Sequence, residues 1–175
     1  MGLRRKLERL QAAEEQYRQV RAAHGEDADA VMAQGFAAAQ GTRAARTYFA
    51  AMARNSHLRF HVIDMGLPEK MLHPEATVYD VVVGAQRSST FPLLIVTDRR
   101  VLQVIRVWRW KVLGEVPAAQ VTGAELEQNW ITWTLRVHVR DGKGINMKVS
   151  APTQERAEEV VALLRHLVAG GAPPV

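Results

Sequence analysis

The spacing of apolar residues changes near residue 74. Before it they recur at helical intervals: Leu3, Leu7, Leu10, Tyr17 and Val20 step by threes and fours, with Glu14 interrupting the series. That spacing predicts an amphipathic helix over roughly residues 3–23. Gly25, Asp27 and Asp29 supply a stop followed by an acidic helix start, and Val31, Met32, Phe36, Ala39, Tyr48, Phe49 and Met52 outline a second, Ala-rich helical stretch. Gly35 and Gly41 weaken this second stretch, since each glycine costs about 1 kcal/mol against alanine inside a helix. Residues 55–73 follow no single period and read as a connection.

After residue 74 the period becomes two. Thr77 to Ala85 is β-branched and bounded by turn formers, and Leu93 to Val96, Val101 to Val107, Trp110 to Val116 and a weaker Gln120 to Glu127 continue the series. The sixth strand is the plainest. Ile131, Trp133, Leu135, Val137 and Val139 alternate with Thr132, Thr134, Arg136, His138 and Arg140, so one face is buried and the other wet. Asp141-Gly142-Lys143-Gly144 turns the chain into a seventh strand, in which Ile145, Met147 and Val149 alternate with polar residues. From Thr153 onward Ala157, Val160, Val161, Leu164, Leu167 and Val168 form the apolar stripe of a closing helix, with Leu164 expected to be buried. If the apolar faces of strands six and seven coincide, Val139 falls opposite Ile145 and Val137 opposite Met147. Arg136 then faces Lys148, a like-charge pair that needs Glu125, Glu127 or an anionic partner beside it.

Seven antiparallel strands and one amphipathic C-terminal helix give an α+β fold: a β-sandwich or partly open barrel capped by the helix, with an N-terminal helical extension. The expected division is 1–73 for the extension, 74–169 for a domain that folds alone, and 170–175 for a disordered tail. The run Pro92-Leu93-Leu94-Ile95-Val96-Thr97-Asp98-Arg99-Arg100-Val101-Leu102 resembles the second-to-third strand hairpin of bacterial pleckstrin-homology-like domains of the GRAM or YokE-like kind. Pro74-Glu75 leading into Val78 to Gly84, and the closing helix, fit the same pattern over residues 72–169. The resemblance implies a binding module without a catalytic centre, serving membrane lipids in some members and protein contacts in others.

Candidate binding residues follow from the cations. Thr97 and Asp98 suit a tight turn whatever the ligand, which leaves Arg99 and Arg100 as candidates for a phosphate. The loop from Gln86 to Pro92 carries one cation, Arg87, where members of the family that hold phosphoinositides use several, so a specific phosphoinositide site is not expected. Arg136, His138, Arg140 and Lys148 share the wet face of the last hairpin, near Arg106, Arg109 and Lys111 and among Trp108, Trp110, Trp130 and Trp133. Interleaved aromatics and cations suit lipid headgroups or single-stranded nucleic acid. The plainer expectation puts Trp133 in the core and has Trp108 and Trp110 covering sheet or helices.

Composition narrows the classes. The 175 residues contain no cysteine, which excludes disulfides, cysteine zinc sites and cysteine nucleophiles. No apolar run approaches the ~18 residues of a membrane span, and the basic start MGLRRKLERL lacks the apolar core of a secretory signal, so a soluble cytoplasmic chain is expected. The formal charge of +5 is spread over both halves, and the excess of arginine over lysine reads as compositional bias rather than phosphate recognition. GxxxxGK[ST], GxGxxG, GxSxG and HExxH are missing. His57, His61 and Asp64 could share a metal on a helix, but Leu58, Phe60 and Val62 alternate as in an extended segment, which separates the two imidazoles. No catalytic residue, cofactor or metal is expected. The basic stripe of the first helix suits packing within the chain or against a partner copy more than a membrane surface, because Glu8, Glu14 and Glu15 interrupt it. The expected function is therefore a non-catalytic interaction or scaffold module that contacts protein. The alternative is a peripheral membrane adaptor that binds anionic lipid through the N-terminal helix and the basic sheet face.

Overall fold

The computed structural model describes residues 15, 18–25, 31, 35, 38–54, 71–86 and 90–173. Strands β1 (Val78–Val83), β2 (Pro92–Thr97), β3 (Arg100–Arg106) and β4 (Trp110–Pro117) form one antiparallel sheet in that order. Strands β5 (Val121–Asn129), β6 (Thr132–Val139) and β7 (Ile145–Val149) form a second. Helix α1 (Arg43–Ala53) precedes the strands and α2 (Gln154–Val168) follows them. The fold is α+β, with two packed antiparallel sheets and a C-terminal helix, as the change of period predicts. Among the described residues the two sheets do not close into a barrel; they meet at one corner, where the Ala85 N–H donates to the Lys148 carbonyl at 2.7 Å. No helix among the described residues is long and apolar enough to cross a membrane.

Strand β2 explains the layering. All six of its residues are buried, which a strand with one wet face cannot achieve. Leu93 and Ile95 join Val81, Val83, Leu102 and Val104 on the face that α1 covers with Ala44, Tyr48, Ala51 and Met52. Leu94 and Val96 join Val82 and Val101 on the other face, against Leu135, Val137, Met147 and the α2 residues Ala157, Val160 and Leu164. The order of layers is helix, sheet, then second sheet with helix. Buried Leu164 is where the stripe of the closing helix predicts it.

The N-terminal side departs from its pattern in one respect. Residues 31, 35 and 38 are helical, but α1 starts afresh at Arg43 after a bend at Gly41 and Thr42. Thr42 caps it, its hydroxyl accepting the Ala45 N–H at 3.2 Å, so the glycine that weakens a continuous helix marks the real break. Residues 18–24 are helical, and Val20 is half-buried there. The rest of the first stripe, from Leu3 to Tyr17, lies outside the described residues apart from Glu15. Leu72 and Ala76 belong to the same cluster as α1 and β1, so a boundary drawn at 73/74 runs through one core.

The β6–β7 register corrects the expected one. Val137 lies opposite Ile145 and Leu135 opposite Met147, two residues along from the alignment that put Val139 opposite Ile145. Parity is kept, so the same faces are buried, but the turn takes in more of β6. Gly142 sits at φ +91°, and Gly144 lies so close to the Val137 carbonyl that a Cβ would be 2.1 Å from it, which ties the turn to that carbonyl. Arg136 therefore faces Asn146, and Lys148 faces Thr134. The like-charge pair Arg136–Lys148 does not form.

Candidate functional site

Two hairpin tips leave large apolar side chains in water. The β3–β4 connection carries Val107, 62% exposed, and Trp108, 96% exposed, with the turn held by the Val107 N–H donating to the Arg109 carbonyl at 3.3 Å. This corrects the expectation that Trp108 covers sheet or helix. Trp110, two residues on, is half-buried against the α1 cluster as expected. The β3–β4 hairpin holds Arg100, Arg106, Arg109 and Lys111 against one acid, Glu115, so it is a basic arm of the molecule. Val112 and Leu113 on the edge strand β4 are also exposed. Leu113 is the extra residue of a bulge opposite the Gln103–Val104 step, a device that interrupts pairing along an edge.

The second tip joins β5 to β6. Asn129 pairs with Thr132, which leaves a two-residue turn made of Trp130 and Ile131. Trp130 adopts φ +39°, a left-handed conformation that glycine or asparagine takes far more readily than tryptophan. Trp130 is 101% and Ile131 84% exposed, so Ile131, read from its alternation as the first buried residue of strand six, belongs to the turn. Behind this tip, between the hairpin and α2, lies a 360 Å³ cleft lined by Leu126, Gln128 and Trp133 from the hairpin and by Gln154, Glu158, Val161, Ala162 and Arg165 from α2. Trp133 is half-buried against the second core, as its alternation predicts.

The candidate cations are dispersed. Arg87 lies outside the described residues, as do His57, His61 and Asp64. Arg99 is exposed at the β2–β3 turn. Arg100, its neighbour, pairs with Glu115 at 2.5 Å and donates to the Met71 carbonyl at 2.5 Å. Arg136 pairs with Glu127 at 2.5 Å, and His138 lies 3.2 Å from Glu125. A carboxylate on β5 thus answers the charge of the wet face, and Arg136 needs no anion to explain it. Lys148 is exposed on β7.

One ionic cluster was not legible in the pattern. Asp80 and Arg156 are both buried and 2.5 Å apart, which links β1 to α2. Arg54, just past α1, lies 3.2 Å from the same carboxylate and donates to the Tyr79 carbonyl at 2.5 Å. Arg156 also pairs with Glu159. A register shift at Tyr79, between Val78 and Asp80, turns Asp80 toward α2. A charged residue in an otherwise apolar strand was the available signal. Elsewhere, burial pushes the Tyr48 phenol well above its ordinary pKa, and its hydroxyl has no partner among the described residues. Burial and then the Asp98 carboxylate raise Tyr79. Comparison with known proteins found no family model that matches the chain and no matching curated protein.

Proposed function

We propose that this protein is a non-catalytic, cytoplasmic interaction module of the pleckstrin-homology-like kind, whose β3–β4 hairpin contacts another macromolecule. The observation that carries the reading is Trp108, almost fully in water at the tip of a hairpin with four cations and one acid. A tryptophan contributes large contact area at low conformational cost, and arginine adds directional donors, so the pair is typical of interface anchors. The favoured partner is a protein with an acidic rim around an apolar pocket. A photocrosslinking residue placed at position 108 in cells is expected to give discrete protein adducts, which the same residue at exposed Ala119 does not. Equal labelling from both positions would reject the reading.

The same arm supports a second reading, peripheral binding to an anionic membrane, because tryptophan settles at the headgroup level beside cations that anionic lipid attracts. Co-sedimentation with phosphatidylcholine vesicles containing a quarter phosphatidylserine, at ~0.15 M salt where the Debye length is about 8 Å, tests it. Binding lost in Trp108→Ala supports the membrane reading. No binding, or binding unchanged in that variant, rejects it.

A further inference from the structure

The β5–β6 tip carries an inference that goes beyond the proposed function and does not depend on Trp108. Its sequence opposes its conformation. A two-residue hairpin turn whose first central residue alone has a positive φ favours glycine there, followed by a polar residue such as Asn or Ser, and this one holds Trp-Ile. The left-handed backbone at Trp130 is unfavourable for a residue with a Cβ, and its exposed side chain gains no burial among the described residues that would offset this. A local sequence that contradicts its local structure without a compensating contact marks a site where function is to be sought.

We propose that the Trp130–Ile131 tip docks in the cleft between the β5–β6 hairpin and α2 of a second copy of this chain, reciprocally, about a two-fold axis. Projection and recess sit side by side: Leu126, Gln128 and Trp133, within four residues of Trp130 or Ile131, form the hairpin wall of the cleft. A patch that holds both parts is self-complementary, which is what a two-fold interface requires. The charges agree. On the hairpin Glu127 is paired with Arg136 and Glu125 lies beside His138, and the cleft itself carries one acid, Glu158, and one cation, Arg165. Two such faces meet without a like-charge excess. The basic β3–β4 arm would repel its own copy, and this near-neutral end offers an anionic membrane no attraction.

The area sets the strength. Each inserted tryptophan buries about 150–250 Å², and with Ile131 and the cleft walls the two insertions bury on the order of 1,000 Å², at the lower edge of specific interfaces. The dimer is therefore expected to be concentration-dependent.

Sedimentation equilibrium on the full chain tests this. The mass is expected to rise from monomer toward dimer as concentration is raised from micromolar to several hundred micromolar. Trp130→Gly combined with Ile131→Asn should leave a monomer throughout, yet raise the thermal midpoint by a few degrees, because Gly-Asn suits the turn. A turn that served only folding would show no such gain. Ala162→Trp, an exposed position on the α2 wall, fills the cleft and should also abolish the dimer. Equal mixing of the two variants should restore partial association through the one intact tip and the one intact cleft. A full chain that stays monomeric over this range, or a dimer that survives both variants, overturns the proposal, the latter pointing to contact elsewhere such as the N-terminal helices. Neither result alters the crosslinking expected at position 108.

Discussion

Two tight turns in this chain contrast sharply. At the end of β2, Thr97 is buried and its hydroxyl accepts the N–H groups of Arg99 and Arg100 at 3.2 and 3.0 Å while donating to the Arg100 carbonyl at 2.7 Å. Asp98 accepts the Thr77 N–H at 3.1 Å. The fold accounts for both residues without a ligand. At the end of β5, Trp130 and Ile131 contribute nothing comparable: the backbone is left-handed and both side chains stand in water. The first turn reads in the sequence as a tight turn whatever the ligand, and its hydrogen bonds agree. The second drew little notice in the sequence and is the one its own fold leaves unexplained.

The contrast extends to the strands behind the turns, and the largest effects lie there. Strand β2 is covered on both faces, so a 74–175 fragment, which lacks α1, would expose Val81, Val83, Leu93, Ile95, Leu102 and Val104. That fragment is expected to aggregate or to melt without a cooperative transition, against the self-sufficiency that strand pattern alone implies. A sharp calorimetric transition in the isolated fragment would show that α1 is dispensable. Ile95→Ala, on the α1 side of β2, should cost about 2–5 kcal/mol in denaturant unfolding, and Leu164→Ala, on the far side of the sandwich, a similar amount.

The turn residues come next. Thr97→Val removes a hydroxyl with three partners and leaves two backbone N–H groups without it, so a loss of about 1–3 kcal/mol is expected. Trp130→Gly with Ile131→Asn should change stability in the opposite sense by up to about 1–2 kcal/mol. If both variants destabilise alike, the two turns do not differ in the way described.

The smallest effect concerns Tyr48, buried with its hydroxyl unpartnered among the described residues. Tyr48→Phe should be neutral or slightly stabilising, since the lost group makes no hydrogen bond. Burial raises this phenol in the folded state above its unfolded value near 10. Its contribution is thus fully present below pH 10 and declines as pH rises further, as the unfolded chain ionises first. The phenylalanine variant should show a weaker loss of stability above pH 10 than the parent. An identical alkaline profile would mean that other groups control it.

Much of the architecture follows from the sequence because it depends on local periodicity. Alternation places β6 and β7, the β-branched run from Val78 to Val83 places β1, and the helical stripe places Leu164 inside. These patterns report which residues avoid water and how often, and avoidance of water is what drives the elements together. What covers each face is a different matter. An all-apolar β2 announces two buried faces, but only the packed chain assigns α1 to one and the second sheet to the other. The β6–β7 register likewise obeys parity in the sequence and is fixed in detail by the space available to Gly144. The joining of Asp80, Arg54 and Arg156 depends on a bulge and on three elements meeting, and no spacing along the chain encodes it. Exposure of Trp108 and Trp130 was equally a tertiary outcome. Hydrophobicity gives each tryptophan a preference for burial, but hairpin geometry decided whether the chain itself had anything there to bury it against.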